Sequence, residues 1–170
     1  DVIITDHHEC KDVLPDAVAV INPKREGSEY PFKDLAGVGV AFKLVCAVSN
    51  RSERELLNRY ADLVALGTIA DVVPLKDENR IIAAIGIEKI SKNPNTGLAA
   101  IISTLNLRQK WNSCAVVSYS IAPRLNAAGR MSDAAESVEL LLDSCKETAL
   151  QKAEALDRYN RKRQSEEHII

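Results

Sequence analysis

The residues best suited to chemistry in this sequence are three consecutive side chains near its start, Asp6, His7 and His8. Imidazole and carboxylate groups are good ligands for manganese, iron and zinc, and a neighbouring group can fix which ring nitrogen carries the proton. Two of the chain's three histidines stand side by side here. The triplet predicts a metal site, and a surface turn that happens to hold two histidines is the plain alternative.

The triplet follows a short apolar run of β-branched residues, residues 2–5, which is typical of a buried parallel strand. A second apolar run, residues 17–21, ends at Asn22-Pro23 and predicts a neighbouring strand. In open α/β sheets, ligands bind at the carboxyl ends of the strands. We therefore expect the triplet to lie at a ligand-binding edge of a sheet.

A second candidate is Asp71, which stands alone among apolar and small residues between Gly67 and Pro74. Burying an unpaired carboxylate is costly, so a helix amino terminus, an arginine or a metal ion has to compensate for it. From the residues alone, a helix cap is the commonest of these answers. Asp71 is far along the chain from His8, so only the fold could bring the two together.

The third candidate is a segment in which Arg124, Asn126 and Arg130 bracket small residues. Small side chains let a backbone approach a ligand closely, and the guanidinium fork matches the geometry of a phosphate. The segment therefore predicts a loop that contacts phosphate. An arginine-capped loop paired with local acids is the alternative.

Patterns with helical spacing dominate after residue 35. Ser52 precedes Glu53 and Glu55, which predicts a helix start, and this helix is expected to run to about residue 66. The other helices are predicted at residues 78–92, 97–105, 134–142 and from about 145 to the end. The sequence thus predicts an α/β fold in which the edge of a parallel sheet, at residues 1–25, precedes a mostly helical region.

Composition limits the classes of function. A chain of 170 residues with 46% hydrophobic side chains can fill the core of one domain, and a net charge of -2 means that any polyanion site must be local. The four cysteines form no CxxC pair, which predicts thiols in a reducing compartment. No apolar run approaches the ~20 residues of a membrane span. We expect a cytoplasmic protein that does not bind a membrane.

The residues that carry chemistry lie in stretches that resemble a known superfamily. Residues 2–9, VIITDHHE, resemble the motif that names the DHH phosphoesterases. Three further stretches resemble one branch of it, the RecJ single-strand-specific exonucleases: residues 37–44 (GVGVAFKL), 65–75 (ALGTIADVVPL) and 122–131 (APRLNAAGRM). Residues 156–164, LDRYNRKRQ, are similar to that family's long connecting helix. This ordered set covers the chain and is far more specific than the triplet alone.

The resemblance implies a hydrolase that digests single-stranded DNA from its 5′ end in repair and recombination. Such enzymes use a two-metal centre of manganese or magnesium. On this basis His7 and Asp71 match metal ligands, which reverses the preference for a cap at Asp71. His8 matches the histidine that faces the scissile phosphate, and Asp6 is expected to orient the motif.

The resemblance also implies a domain organisation and partners. Residues 1–144 would be the carboxy-terminal part of a DHH domain, and residues 145–170 the start of the connecting helix. Arg124, Asn126 and Arg130 would belong to a loop that faces phosphate and DNA. The expected partner is single-stranded DNA, with a helicase or a single-strand-binding protein as a further partner of the full-length protein.

The chain departs from the family's pattern in one respect. The upstream aspartate motifs and the carboxy-terminal DHHA1 and OB domains have no match. We therefore expect the aspartate motifs to lie before Asp1, and we expect the chain alone to be inactive. Three rivals were weighed: a DHH phosphodiesterase for oligoribonucleotides or cyclic dinucleotides, a non-catalytic replication scaffold, and a dehydrogenase-like α/β domain. Residues 122–131 argue against the first, the retention of both His7 and Asp71 argues against the second, and the absence of a glycine fingerprint argues against the third.

Overall fold

The computed structural model describes residues 1–107 and 113–167 and divides into two compact units, Asp1–Gly86 and Ile87–Ile170. Helix far exceeds strand among the described residues, as the sequence predicted, and the α/β class is confirmed. The strands are β1 (Ile3–Thr5) and β2 (Ala19–Ile21). The helices are α1 (Gly37–Val48), α2 (Glu53–Ala70), α3 (Asp77–Lys92), α4 (Thr96–Thr104), α5 (Cys114–Val116), α6 (Ala122–Met131), α7 (Ala135–Leu142) and α8 (Lys146–Glu167), with a π-helical turn Val117–Ile121 between α5 and α6.

The two strands of the first unit pair in parallel, with Ile4 opposite Val20. Their adjacency was predicted, but their burial was not predicted correctly: Val2 is 58% exposed, Ile3 57% and Val18 67%. Among the described residues the sheet has only these two strands. A parallel sheet is buried only where other elements cover both of its faces. These β-branched residues, which suit a buried sheet, remain exposed to solvent.

The helices of the first unit pack closely around α2. As predicted, Ser52 is its N-cap, but the helix runs to Ala70, beyond the predicted end at about residue 66. A Cβ atom built on Gly86 of α3 would lie 2.3 Å from the Ala61 backbone oxygen of α2, so glycine is needed for this close approach. The buried apolar residues of the unit include Leu35, Val40, Phe42, Leu56, Val64, Leu66, Ile69 and Ile82.

Asn79 of α3 is a buried polar anchor for the loop that leads into α1. Its side-chain nitrogen donates to the backbone oxygens of Asp34 (2.7 Å) and Pro74 (3.0 Å), and its oxygen accepts from the Ala36 backbone nitrogen (3.4 Å). Buried polar groups need such partners, and here the partners are backbone atoms of two loops. Asn79 therefore fixes where α1 begins.

The second unit is helical, and α8 packs on α4 and α6 around a core that includes Leu98, Ile101, Val117, Ile121, Leu140 and Leu156. The prediction of a loop at residues 122–131 is wrong, because these residues form α6. Pro123 was interpreted as a chain break, but proline is tolerated in the first turn, where its missing N–H is not needed. The boundary at residues 144 and 145 stays a prediction; α8 begins at Lys146.

Two further properties bear on function. All four cysteines are free. No helix within the described residues is both long enough and apolar enough to cross a membrane.

Candidate metal centre

The segment of Asp6, His7 and His8 lies where the parallel strands end, as the sequence predicted. The Asp6 backbone nitrogen donates to the Ile21 oxygen (3.0 Å), which continues the pairing of β1 with β2 by one bond. Asn22, which directly follows β2, donates its side-chain nitrogen to the His8 backbone oxygen (2.9 Å). The two strand ends are thus joined, and they hold the segment at the carboxyl edge of the sheet.

Asp6 organises the segment through its Oδ1 atom. This atom accepts from the His7 backbone nitrogen (2.7 Å) and lies 2.7 Å from His8 Nδ1. The hydrogen bond from His8, followed by those from the two backbone nitrogens, lowers the pKa of Asp6 although burial opposes the shift. An ionised carboxylate can only accept, so His8 Nδ1 must carry a proton. His8 is 75% exposed, which leaves its Nε2 atom accessible.

His7 faces Asp71, which the fold brings from the far end of α2. His7 Nε2 lies 3.3 Å from Asp71 Oδ2, and the two side chains are 18% and 40% exposed. Asp71 is the C-cap of α2, not an N-cap of α3. A carboxylate at a helix carboxyl end meets the negative pole of the helix, so the helix does not stabilise it. Asp71 is exposed rather than buried, so water solvates its carboxylate, and His7 is the side chain that it faces.

The backbone after Asp71 is strained. Val72 has φ 58°, in the left-handed region that β-branched residues avoid, and it is 81% exposed, so no packing of its own side chain explains this conformation. Its backbone nitrogen bonds to the Ile69 oxygen (3.3 Å), which ends the helix abruptly. Such strain costs about 1–3 kcal/mol and persists only where the surroundings impose it. Here it accompanies the turn that directs Asp71 toward His7.

Gly37, the first residue of α1, fits against the other side of His7. A Cβ atom built on Gly37 would lie 3.0 Å from His7 Cδ2, which is tighter than an ordinary van der Waals contact. A side chain at this position would therefore require the imidazole ring of His7 to shift by a few tenths of an ångström. The His8 ring is also near, with ring centroids 4.3 Å apart.

The donor set fits a divalent cation. Two ligand atoms bound to one ion at about 2.1 Å each are roughly 3 Å apart, which the 3.3 Å separation of His7 Nε2 and Asp71 Oδ2 matches. One ligand atom from each of Asp6, His7 and His8 can also be chosen so that all three lie within 4.8 Å of one another. Imidazole with carboxylate suits manganese, and magnesium prefers the carboxylate oxygens. His7 and Asp71 are the residues placed to hold such an ion.

The three candidate phosphate ligands lie in the second unit, on α6. Arg124 Nε donates to Asp157 Oδ1 (3.1 Å) and its Nη1 to the Ser120 oxygen (2.8 Å), so it fastens α6 to α8. Asp157 is 6% exposed, which makes this a largely buried ion pair. Asn126 and Arg130 are exposed and one turn apart, on the same face of α6.

Sequence reasoning missed Asn22 and Gly37 as contributors to this centre. Asn22 had been interpreted only as the end of a strand, and Gly37 as a tight helix entry or a close backbone approach, without a link to His7. The signal for Asn22 was its place directly after a strand predicted to lie beside the one that carries the triplet. No signal in the sequence tied Gly37 to His7.

The chain is similar to proteins of known family and structure. Residues 1–68 match the model of the DHH family, N-terminal domain. The chain is 46% identical over 164 residues to the single-stranded-DNA-specific exonuclease RecJ of Bacillus subtilis, covering 96% of this chain and 20% of that protein. It resembles two crystal structures of RecJ from Thermus thermophilus. The complex with Mn²⁺ has a TM-score of 0.80 at 32% identity, and the complex with Mg²⁺ has 0.77 at 33%. Each match covers 97% of this chain and 24% of the matched one.

Proposed function

We propose that this chain is the metal-binding segment of a single-stranded-DNA-specific exonuclease, because residues 1–68 match the DHH family model and the chain is similar along its length to RecJ exonucleases. The chain spans about a fifth of the length of the Bacillus subtilis relative, so the activity belongs to a longer protein that contains it. The observation that carries the proposal is the 3.3 Å approach of His7 Nε2 to Asp71 Oδ2. These residues are remote in sequence, and only the fold brings their ligand atoms together.

In this proposal His7 and Asp71 hold a manganese or magnesium ion. Such an ion activates water as a nucleophile and stabilises charge on the oxygens around phosphorus. His8 presents its accessible Nε2 to the phosphate that is cut, and Asp6 holds the imidazole by the bond to Nδ1. Asp6 is thus a positioning residue in this arrangement, and Gly37 is one for His7.

The helix α6 supplies contacts to the nucleic-acid backbone in this proposal. Arg130 and Asn126 are exposed on one face and can donate to phosphate oxygens. Arg124 contributes by holding α6 on α8 through Asp157. Because the overall charge is -2, binding relies on such local groups.

The proposal extends to the cellular setting. The four free cysteines are compatible with a reducing compartment, and we place the protein in the cytoplasm. A single-strand exonuclease needs strands to be separated, so a helicase or a single-strand-binding protein is the partner we expect.

The test uses a protein of the relatives' length that contains this chain. Wild type is expected to release nucleotides from single-stranded but not duplex DNA, and only with Mn²⁺ or Mg²⁺ added. His7→Ala and Asp71→Ala should each lower the rate by about a thousandfold or more, and the double variant should be little worse, since two ligands of one ion act as a unit. Asp16→Ala, which removes an exposed carboxylate outside the site, is the matched control.

The 170-residue chain by itself is expected to release no nucleotides, because a catalytic site usually needs three or more protein ligands and His7 with Asp71 supplies two. Digestion that proceeds without added metal, or single variants that keep the wild-type rate, would overturn the proposal.

A further inference from the structure

A cavity of about 280 Å³ lies in the first unit, beside the end of β2, the loop that follows it and α1. Its walls are mainly apolar and include Val20, Leu35 and Val40. A small number of polar groups, from Ser28, Tyr30 and Lys43, also line it. Apolar walls with a few placed polar groups are typical of sites for small ligands, and this volume suits one flat ring system.

The charge of Lys43 at the cavity is matched within the protein. Lys43 Nζ lies 2.7 Å from Glu53 Oε1 and 2.7 Å from Glu78 Oε2. The Tyr30 hydroxyl donates to the other oxygen of Glu78 (2.7 Å). The lysine charge is therefore already neutralised by two carboxylates. A phosphate would gain little from Lys43, whereas an uncharged ring would bury apolar surface against the mainly apolar walls.

Two flat side chains line the cavity. Arg25 is exposed, and its guanidinium donates one bond to the Val20 backbone oxygen (3.3 Å). Tyr30 is half-buried, and its ring lines the cavity. Bases that are not stacked on other bases can stack on guanidinium planes and aromatic rings of a protein. Ser28 adds a hydroxyl that can both donate and accept a hydrogen bond.

The cavity is linked to the candidate metal centre by one residue. Asn22 lines the cavity, and its side chain bonds to the His8 backbone oxygen (2.9 Å). A group bound there is therefore one residue away from the segment that carries His8.

We propose that this cavity binds a single unstacked nucleobase of the nucleic-acid substrate. The inference rests on the proposed function and adds to it a contact with a base, beyond those with phosphate.

The test is a titration of the labelled chain by NMR, without metal. Thymidine and deoxyadenosine should shift the signals of Val20, Ser28 and Val40 with millimolar affinity, and 2-deoxyribose 5-phosphate, which lacks the base, should shift none of them. Ser28→Trp places a large ring in the cavity and should weaken nucleoside binding at least tenfold. Glu29→Trp, at the exposed neighbouring position, is the matched control and should change the affinity less than twofold.

A second variant keeps the test decisive if Ser28→Trp unfolds the chain. Arg25→Ala removes an exposed side chain and should weaken nucleoside binding severalfold. The inference is overturned if the wild-type chain binds neither nucleoside or if both variants bind nucleosides with the wild-type affinity. It is also overturned if 2-deoxyribose 5-phosphate binds the cavity as tightly as the nucleosides do. None of these results bears on metal-dependent release of nucleotides, so failure of the cavity and failure of the exonuclease proposal are distinguishable.

Discussion

His7 lies between two neighbours that are remote from it in sequence, Gly37 on one side and Asp71 on the other. Its ring is held by the absence of a side chain at Gly37 as much as by the carboxylate of Asp71. A small residue beside a ligand histidine thus limits the orientations open to the ring. The close contact at the start of α1 therefore bears on the orientation of His7.

Gly37→Ala tests the effect of this contact. Alanine normally stabilises a helix relative to glycine by about 0.5–1 kcal/mol, but here its Cβ atom would meet His7 Cδ2 at 3.0 Å. The variant is expected to remain folded, to shift the His7 ring signals in NMR spectra, and to bind Mn²⁺ severalfold more weakly. Gly129→Ala is the control, because its Cβ atom would meet only Ala134 at 3.4 Å, an ordinary contact. Unchanged His7 signals in Gly37→Ala would contradict the positioning role.

The element that carries Asp71 is α2, and its beginning is fixed by a local pattern. Ser52 Oγ accepts from the Glu55 backbone nitrogen (3.3 Å), and the Glu55 side chain accepts from the Ser52 backbone nitrogen (2.9 Å). This reciprocal arrangement satisfies two amides that the helix itself leaves without partners. Because the helix ends at Asp71, the cap at Ser52 helps to hold together the element that delivers this carboxylate.

Ser52→Ala should lower the free energy of unfolding by about 1 kcal/mol in urea titrations at neutral pH. The bonds from Ser52 lower the pKa of Glu55, so its contribution is present above its ordinary value of 4.5 and is lost as the pH falls through the lowered pKa. Of these bonds, Ser52→Ala removes only the one from Ser52 Oγ to Glu55 Oε2 (2.9 Å) and leaves the backbone bond in place, so only this part of its cost should shrink in acid. Ser91→Ala, at an exposed position within α3, is the control and should be close to neutral. An equal cost for the two variants would argue against the cap.

The same elements show what the sequence could and could not predict. The cap at Ser52 was predicted because all of its partners are local. The helix α6 was missed because Pro123 was interpreted as a break and the small residues after it as a loop, whereas proline is tolerated in the first turn of a helix. The approach of Asp71 to His7 depends on the packing of α2 and the turn at Val72, so no spacing rule predicts it, and only the resemblance to RecJ suggested it.

At the scale of the whole molecule, the chain consists of two compact units with different chemistry. The first holds His7, Asp71 and the cavity beside β2, and the second holds the basic and amide side chains of α6. The proposed metal ligands all belong to the first unit. Metal binding should therefore stabilise the two units unequally, which offers a test that does not depend on catalysis.

Hydrogen exchange of the 170-residue chain, with and without Mn²⁺, measures this difference. Binding to the folded form alone stabilises it by about 1.4 kcal/mol at about ten times the dissociation constant. Exchange should slow for amides near His7 and at the end of α2, whereas amides of residues 113–167 should change little, because local openings in that unit leave the ligands in place. The His7→Ala variant should lose the protection, and Asp16→Ala should retain it. Equal protection in both units, or protection that survives His7→Ala, would show that manganese binds elsewhere.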